Sequence, residues 1–327
     1  GRTGAAVQVS TLQEKTPRVR AVRGDKAHTA RPRGRNGSRL TRQQSRAGWL
    51  LLTPALLHSS FFLAVPALAA VFLSFTNYDF SGAWQFIGAE NYVELFQDAR
   101  FQAALRNTIL YTIAVVPLAM ILALLIALGL NQKIRGLGFF RTVYYLPVVT
   151  ATVAVASVWL WIYHPGAGLA NAVGSLFGMA RSEWLNDPGT ALPALMAVGI
   201  WQGLGAKMIV YLAALQGVSK ELLEAAYLDG ANRWQVFRNV IWPALGPAHY
   251  FVLITAIVQT FQVFDLVFVM TKGGPVNSTT VLTFDIYNNA FEGLRLGYAS
   301  AETVIMLILV AAFIYLGGRS QRKNQDA

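Results

Sequence analysis

Residues 221–245 read ELLEAAYLDGANRWQVFRNVIWPAL. Five charged residues stand in this stretch: Glu221, Glu224, Asp229, Arg233 and Arg238, with Lys220 just before it. Long apolar runs flank it on both sides. Leu222, Ala225, Ala226 and Tyr227 give a face of a first short helix. The Asp229-Gly230 pair interrupts that helix, since glycine reaches the left-handed backbone that ends one. Asp229 is then placed to cap a second helix. In that second helix Trp234, Phe237 and Ile241 form an apolar stripe, and Pro243 is expected to stop it. The result is a polar helix–turn–helix set between two membrane-like segments. By itself the pattern also suits an amphipathic hairpin that merely packs on a bundle.

The flanks decide the class. Of the 327 residues, 54% are hydrophobic and only 13% charged, with a mean hydropathy of +0.43. Soluble domains average about 25% charged. Six segments have the roughly 20 apolar residues that a span needs: 48–74, 107–130, 142–163, 191–217, 247–270 and 298–317. The fold class is therefore an all-α membrane protein of about six transmembrane helices. Pro54, Pro66, Pro117, Pro147 and Pro193 lie in or near the spans, where neighbouring helices re-satisfy the backbone.

Charge sets the orientation. Residues 1–46 hold 12 Lys/Arg and 2 Asp/Glu, a net of +10 out of the chain's +11. This tail has no apolar periodicity and reads as disordered, a cytoplasmic anchor at anionic lipid. It lacks interleaved aromatics, so nucleic acid is not expected as a partner. With the N-terminus inside, the cytoplasmic segments carry 21 Lys/Arg and the outer ones 5, Lys207 lying within a span. Lys133, Arg135, Arg141, Lys220, Arg233, Arg238, Arg319, Arg322 and Lys323 fall inside; Arg100, Arg106, Arg181, Lys272 and Arg295 fall outside. The positive-inside rule then puts both termini, and a loop over 218–246, in the cytoplasm. The domains are a tail over 1–46, a permease domain over 47–320 and a short C-terminal tail over 321–327.

Several chemistries are not supported. There is no cysteine, and His28, His58, His164 and His249 do not make a metal-ligand spacing. No metal or catalytic residue is expected. No GxxxxGK[ST] phosphate loop occurs, so this chain is not expected to bind ATP by that route. A membrane enzyme would need titratable groups clustered at one depth, and Lys207, Asp265 and Glu302 do not form such a set.

The stretch EAAYLDGANRWQVFRNVIWPAL, residues 224–245, resembles the EAA signature of binding-protein-dependent ABC importer permeases. Glu224-Ala225-Ala226, Asp229-Gly230-Ala231 and Pro243 carry the match. FLSFTNYDF (72–80), FIGAENYVELFQD (86–98), FFRTVYYLPVVTATVAVASVWLWIY (139–163) and VFVMTKGGPVNSTTVLTFDIY (267–287) resemble the maltose-type sugar subfamily. The resemblance covers about residues 45–320. It implies a type I importer fold in the cell membrane of a prokaryote. The implied partners are a second, homologous permease in a heterodimer, two ATPase subunits that bind ATP and Mg²⁺ and grip the EAA loops, and an extracytoplasmic solute-binding protein. Small Ala225 and Ala226 would allow close backbone approach, Glu224 would offer a charge, and Gly230 the turn.

Polar groups inside spans are expensive and mark function by default. The fourth span carries Trp201, Gln202, Gly203 and Lys207; the fifth carries Gln259, Thr260, Gln262 and Asp265. The resemblance implies that these stretches line a sugar site, with Gly203 at a site glycine and Gln202, Ala206, Thr260 and Val263 at or beside contact positions. Ala206 and Val263 depart in chemistry from the subfamily. Gln259 and Gln262 can bond hydroxyls through both amide atoms, and Trp201 can stack on a sugar face. Interhelical bonding is the competing role for the Gln and Thr residues. Lys207 and Asp265 differ in depth along their spans, which argues against an ion pair between them. Glu302, near the outer end of the last span, is expected to face headgroup water. The implied function is a permease subunit for a sugar or oligosaccharide. A glycerol-phosphate-type anionic solute, with Lys207 as phosphate partner, is the alternative.

Overall fold

The computed structural model describes residues 37–82, 84–132 and 136–325. Most of the basic tail expected to be disordered lies outside the described residues, as do Lys133 and Arg135 and the last two residues. The described residues divide into two units, one up to residue 59 and one from residue 60 onward.

The first unit contributes α1, Gly37–Ser59. It begins inside the stretch assigned to the tail. Trp49, Leu50 and Leu51 are exposed on it, as suits a lipid-facing helix. Pro54 lies within α1.

The second unit opens with a π turn, Ser60–Ala64, and α2, Val65–Leu73. Then come α3 (Glu90–Gln97), α4 (Ala99–Leu130), α5 (Leu137–Val149), α6 (Thr152–Ile162), α7 (Leu169–Leu176) and α8 (Ala191–Gln216). The polar loop supplies α9 (Lys220–Leu228), α10 (Arg233–Val236), a π turn (Phe237–Ile241) and α11 (Trp242–Ala244). The chain closes with α12 (Gly246–Phe261), α13 (Asp265–Met270), α14 (Leu282–Tyr287), a π turn (Asn288–Glu292) and α15 (Leu296–Gln325). The last helix runs past residue 320, where a tail was expected. Among the described residues there is no strand, only an isolated bridge between Thr76 and Phe86.

Among the described residues, five helical stretches are long and apolar enough to cross a membrane: Ala47–Leu73, Ala99–Leu130, Ala191–Gln216, Gly246–Met270 and Leu296–Gly318. The sixth, the third in chain order, is not one rod. α5 and α6 meet at 100°. Thr150 and Ala151 are extended there (ψ 135° and 130°), and Pro147 has no N–H to continue the ladder. Thr150 Oγ1 donates to the Leu146 carbonyl at 2.9 Å and satisfies part of the break.

The core is built on α4 against α8. Ala119, Ala123 and Ala127 recur every four residues on α4, all fully buried. They meet Leu195, Met208, Leu212 and Leu215 of α8. Small side chains let the two backbones approach, which is how membrane helices gain dispersion contacts without a hydrophobic drive between them. α5 crosses α8 at Gly205, where an added Cβ would collide with the backbone of Tyr144 and Tyr145.

Candidate functional site

The fifth span is broken where it matters. α12 ends at Phe261, α13 starts at Asp265, and Gln262–Phe264 between them are non-helical. Irregular backbone at membrane depth is tolerated where it lines a cavity. A cavity of about 290 Å³ lies here, walled by α4, α8, α12 and the α5–α6 corner. Thr283 Oγ1 donates to the freed Val263 carbonyl at 2.5 Å, so the break is satisfied from behind.

Of the eight solute-site residues expected from sequence, Gln202, Gly203, Lys207, Gln259, Thr260, Gln262 and Asp265 line this cavity, with Ala206 and Val263. Trp201 does not. One residue away from the cavity face of α8, it meets Trp159 edge-on at 5.6 Å and lines a neighbouring apolar groove with Val143, Pro147 and Leu204. Three parts of the wall were missed: Tyr111, Val115 and Val116 from α4, Val148 and Thr152 from the α5–α6 corner, and Phe264 in the break. Pro147 with Thr150 and Thr152 was the available signal for the corner.

The polar contacts assign roles. Lys207 is buried, and its ammonium donates to Gln259 Oε1 at 3.1 Å and to the Gly203 carbonyl at 3.3 Å. An ammonium can only donate, so the amide oxygen of Gln259 must face it and the amide nitrogen must point away. Gly203 makes room: a Cβ there would sit 2.8 Å from the Lys207 nitrogen. Lys207 is not within 4.0 Å of any carboxylate among the described residues. Gln202 Nε2 donates to Thr152 Oγ1 at 3.1 Å across to the bent third span. Thr260 Oγ1 is spent on the Ile257 carbonyl at 2.8 Å, so its hydroxyl hydrogen serves its own helix. Gln259, Gln262 and Asp265 remain exposed at the wall.

The polar loop has a defined frame. α9 ends in a Schellman arrangement: Ala231 N–H bonds the Ala226 carbonyl at 3.0 Å and Gly230 N–H the Tyr227 carbonyl at 3.1 Å, with Gly230 at φ +81°. Asp229 belongs to the end of α9 and does not cap α10. The cap is Asn232, in a reciprocal box with Gln235 at 2.9 and 2.8 Å. Pro243 does not stop the second helix either. The π turn at 237–241 widens the ladder just before it, and the helix resumes through Trp242. Glu224, Ala225, Asp229 and Gly230 are exposed, with Ala226 and Ala231 half-buried and Pro243 exposed. Phe237 and Ile241 pack on the core formed by α4 and α8, while Trp234 stacks on Phe237 and stays 66% exposed. The loop is thus anchored on the bundle and leaves α9 uncovered.

The end of the bundle at the start of α4 holds a cluster that the sequence did not reveal. Glu302 is fully buried, not in headgroup water. Asn289 Nδ2 donates to its Oε1 at 3.0 Å. Asp285 of α14 is fully buried beside it, with Arg100 Nε 2.7 Å from Oδ1.

A protein-family model described as "Binding-protein-dependent transport system inner membrane component" matches residues 115–324. The chain belongs to this family. It is 35% identical over 278 residues to a probable ABC transporter permease, YesP, of Bacillus subtilis, covering 84% of this chain and 89% of the relative. It is 34% identical to the multiple sugar-binding transport system permease MsmF of Streptococcus mutans (80% and 91% covered). It is 31% identical to the sn-glycerol-3-phosphate transport system permease UgpA of Yersinia pestis (80% and 89%). A crystal structure of a bacterial ABC transporter that imports the acidic polysaccharide alginate contains a chain that superposes with a TM-score of 0.74 at 25% identity, covering 87% of this chain and 99% of that one. The chain is therefore a multi-pass ABC transporter permease of the type I importer fold.

Proposed function

We propose that this chain is one half of the membrane passage of an ATP-driven importer for a sugar or oligosaccharide. The observation that carries the reading is the cavity: seven polar-span positions from two different spans converge on it, at the break in the fifth span. The MsmF relative, whose name specifies sugars, supports the substrate class. Gln202, Gln259 and Gln262 offer amides to hydroxyl groups, and a second permease would close the open side. A solute-binding protein would deliver the solute from outside, both termini lying in the cytoplasm. Substrate moves only if the inward and outward states differ in affinity for it.

The uncovered helix α9 is the contact for a partner ATPase subunit, which carries ATP and Mg²⁺; this chain supplies no catalytic group and holds no cofactor. Glu224, Ala225, Ala226, Asp229, Gly230, Ala231 and Pro243 frame that contact. Gly230→Val places a β-branched residue at φ +81°, a strained choice by about 1–2 kcal/mol. The variant importer should hydrolyse ATP while uptake collapses. Normal uptake by this variant would remove the loop from the coupling path.

The solute reading is tested at Gln262. A buried site that bonds hydroxyls loses about 1–3 kcal/mol when one partner goes. Gln262→Ala should weaken uptake of the solute found on the cognate binding protein about tenfold, with basal ATPase activity unchanged. Unaltered uptake would place the passage elsewhere. A second reading, an anionic solute, is favoured by one observation: Lys207 is a buried cation in this wall with no carboxylate within 4.0 Å among the described residues. The UgpA relative and the alginate importer, named for anionic solutes, agree with it.

A further inference from the structure

The cluster at the start of α4 holds two buried carboxyls and one cation. Asp285 and Glu302 have no exposed side-chain surface, and they interact across the contact of α14 with α15, where Asn289, four residues on from Asp285, bonds Glu302. Oδ2 of Asp285 and Oε2 of Glu302 find no donor among the described residues. Two carboxylates only accept, so neither can satisfy the other unless a proton lies between them. The surrounding charges allow one such proton. Arg100, from the first turn of α4, faces Asp285 at 2.7 Å and balances one negative charge. Asn289, from the π turn, is neutral and is spent on Glu302 Oε1. Asp98 faces the pair from the end of α3, but it adds negative charge and is taken up by Tyr298 Oη at 2.8 Å and the backbone of Arg100 at 2.8 Å. Glu94 and Arg295 pair with each other at 2.6 Å on the surface and cancel.

We propose that Asp285 and Glu302 share a single bound proton, and that this proton latches the start of α15 to α14 and to the start of α4. In the latched form Arg100⁺, Asp285⁻ and protonated Glu302 sum to zero. Glu302 donates to Asp285 and accepts from Asn289. Loss of the proton leaves two like charges buried against each other, and the contact between α15 and α14 must open. Burial pushes the Asp285 carboxyl up, against the hydrogen bond from Glu302 and the charge of Arg100. The folded protein thus holds a proton that an unfolded chain releases above about pH 4. Stability from the latch is full below about pH 4 and is lost progressively as pH rises through the titration of the pair in the fold.

The test uses the assembled importer in nanodiscs. Infrared spectra at pH 7 should contain a protonated-carboxylic-acid band that shifts when glutamate or aspartate is ¹³C-labelled. In Glu302→Gln, whose amide makes the same donation without a titrating proton, that band should be lost. Melting temperatures should fall by several degrees between pH 7 and pH 9 for the wild type and stay level for Glu302→Gln. Absence of the acid band in the wild type overturns the proposal, and so does its persistence in Glu302→Gln or an identical pH profile for both proteins. Should Glu302→Gln fail to assemble, the labelled wild-type spectra decide alone: a shifting band supports the shared proton, and no band refutes it.

Discussion

Two cations, one buried and one half-buried, sit in this bundle in opposite ways. Lys207, at the broken fifth span, rests on an amide oxygen and a backbone carbonyl, beside an open cavity. Arg100, in the first turn of α4, rests on a fully buried carboxylate. A charge taken from water needs compensation, and for Arg100 the Asp285 carboxylate supplies it from the protein itself. Among the described residues the cavity leaves hydrogen-bonding capacity unspent: the nitrogen of Gln259, the amide of Gln262 and the carboxylate of Asp265 stand exposed at its wall. The first arrangement suits a group that comes and goes, the second suits a joint.

The largest effect expected from breaking this contrast is at Arg100. Arg100→Met removes the cation and leaves Asp285 and Glu302 buried with nothing to balance them. Breaking a buried pair costs about 3–5 kcal/mol. Arg100 is 40% exposed along its side chain, so a loss near the lower end of that range is expected. It should appear as a drop of several degrees in the melting temperature of the assembled importer at pH 7. The drop should shrink at lower pH, where a second proton neutralises Asp285. A variant that melts with the wild type would mean that the carboxyls carry no charge needing Arg100.

The contrast also explains what could be read from the chain alone. The spans, the polar loop and the cavity positions were legible because a Gln or Lys within an apolar run has one cheap explanation, a polar interior. Trp201 was misplaced for a geometric reason: the next residue on a helix points about 100° away, and Gln202 takes the cavity face. Glu302 was misread because its surroundings come from elsewhere. α14 and the π turn at 288–292, both in the connection before α15, fold over it, and nothing near residue 302 encodes that cover. Asp285 carries no signal in the sequence, since a carboxylate in a connection is ordinary until a neighbour buries it. The helix ends were legible only in part. Gly230 announced the turn, but Asn232 rather than Asp229 makes the cap, since the Schellman bonds already use the residues around Asp229. Pro243 failed as a stop signal because a π turn absorbs it.

The smallest expected effect on stability is at Lys207, and it sharpens the contrast most. Lys207→Met keeps the length and much of the volume of the side chain. It leaves no acid unpaired, because none among the described residues is within 4.0 Å. Gln259 Oε1 loses a donor but is exposed at the cavity wall and can turn to water. The helix keeps the Gly203 carbonyl. A buried charge also carries a desolvation cost that methionine does not. The melting temperature should therefore stay within the equivalent of about 1 kcal/mol of the wild type, far less than for Arg100→Met. Uptake separates the solute classes in the same variant. A neutral sugar should be carried within a few-fold of the wild-type rate. An anionic solute loses a charge-assisted bond, roughly twice as strong as a neutral one, and its uptake should fall by tenfold or more. If Lys207→Met instead melts as early as Arg100→Met, the ammonium is a structural tie, and the two regions are built on the same plan after all.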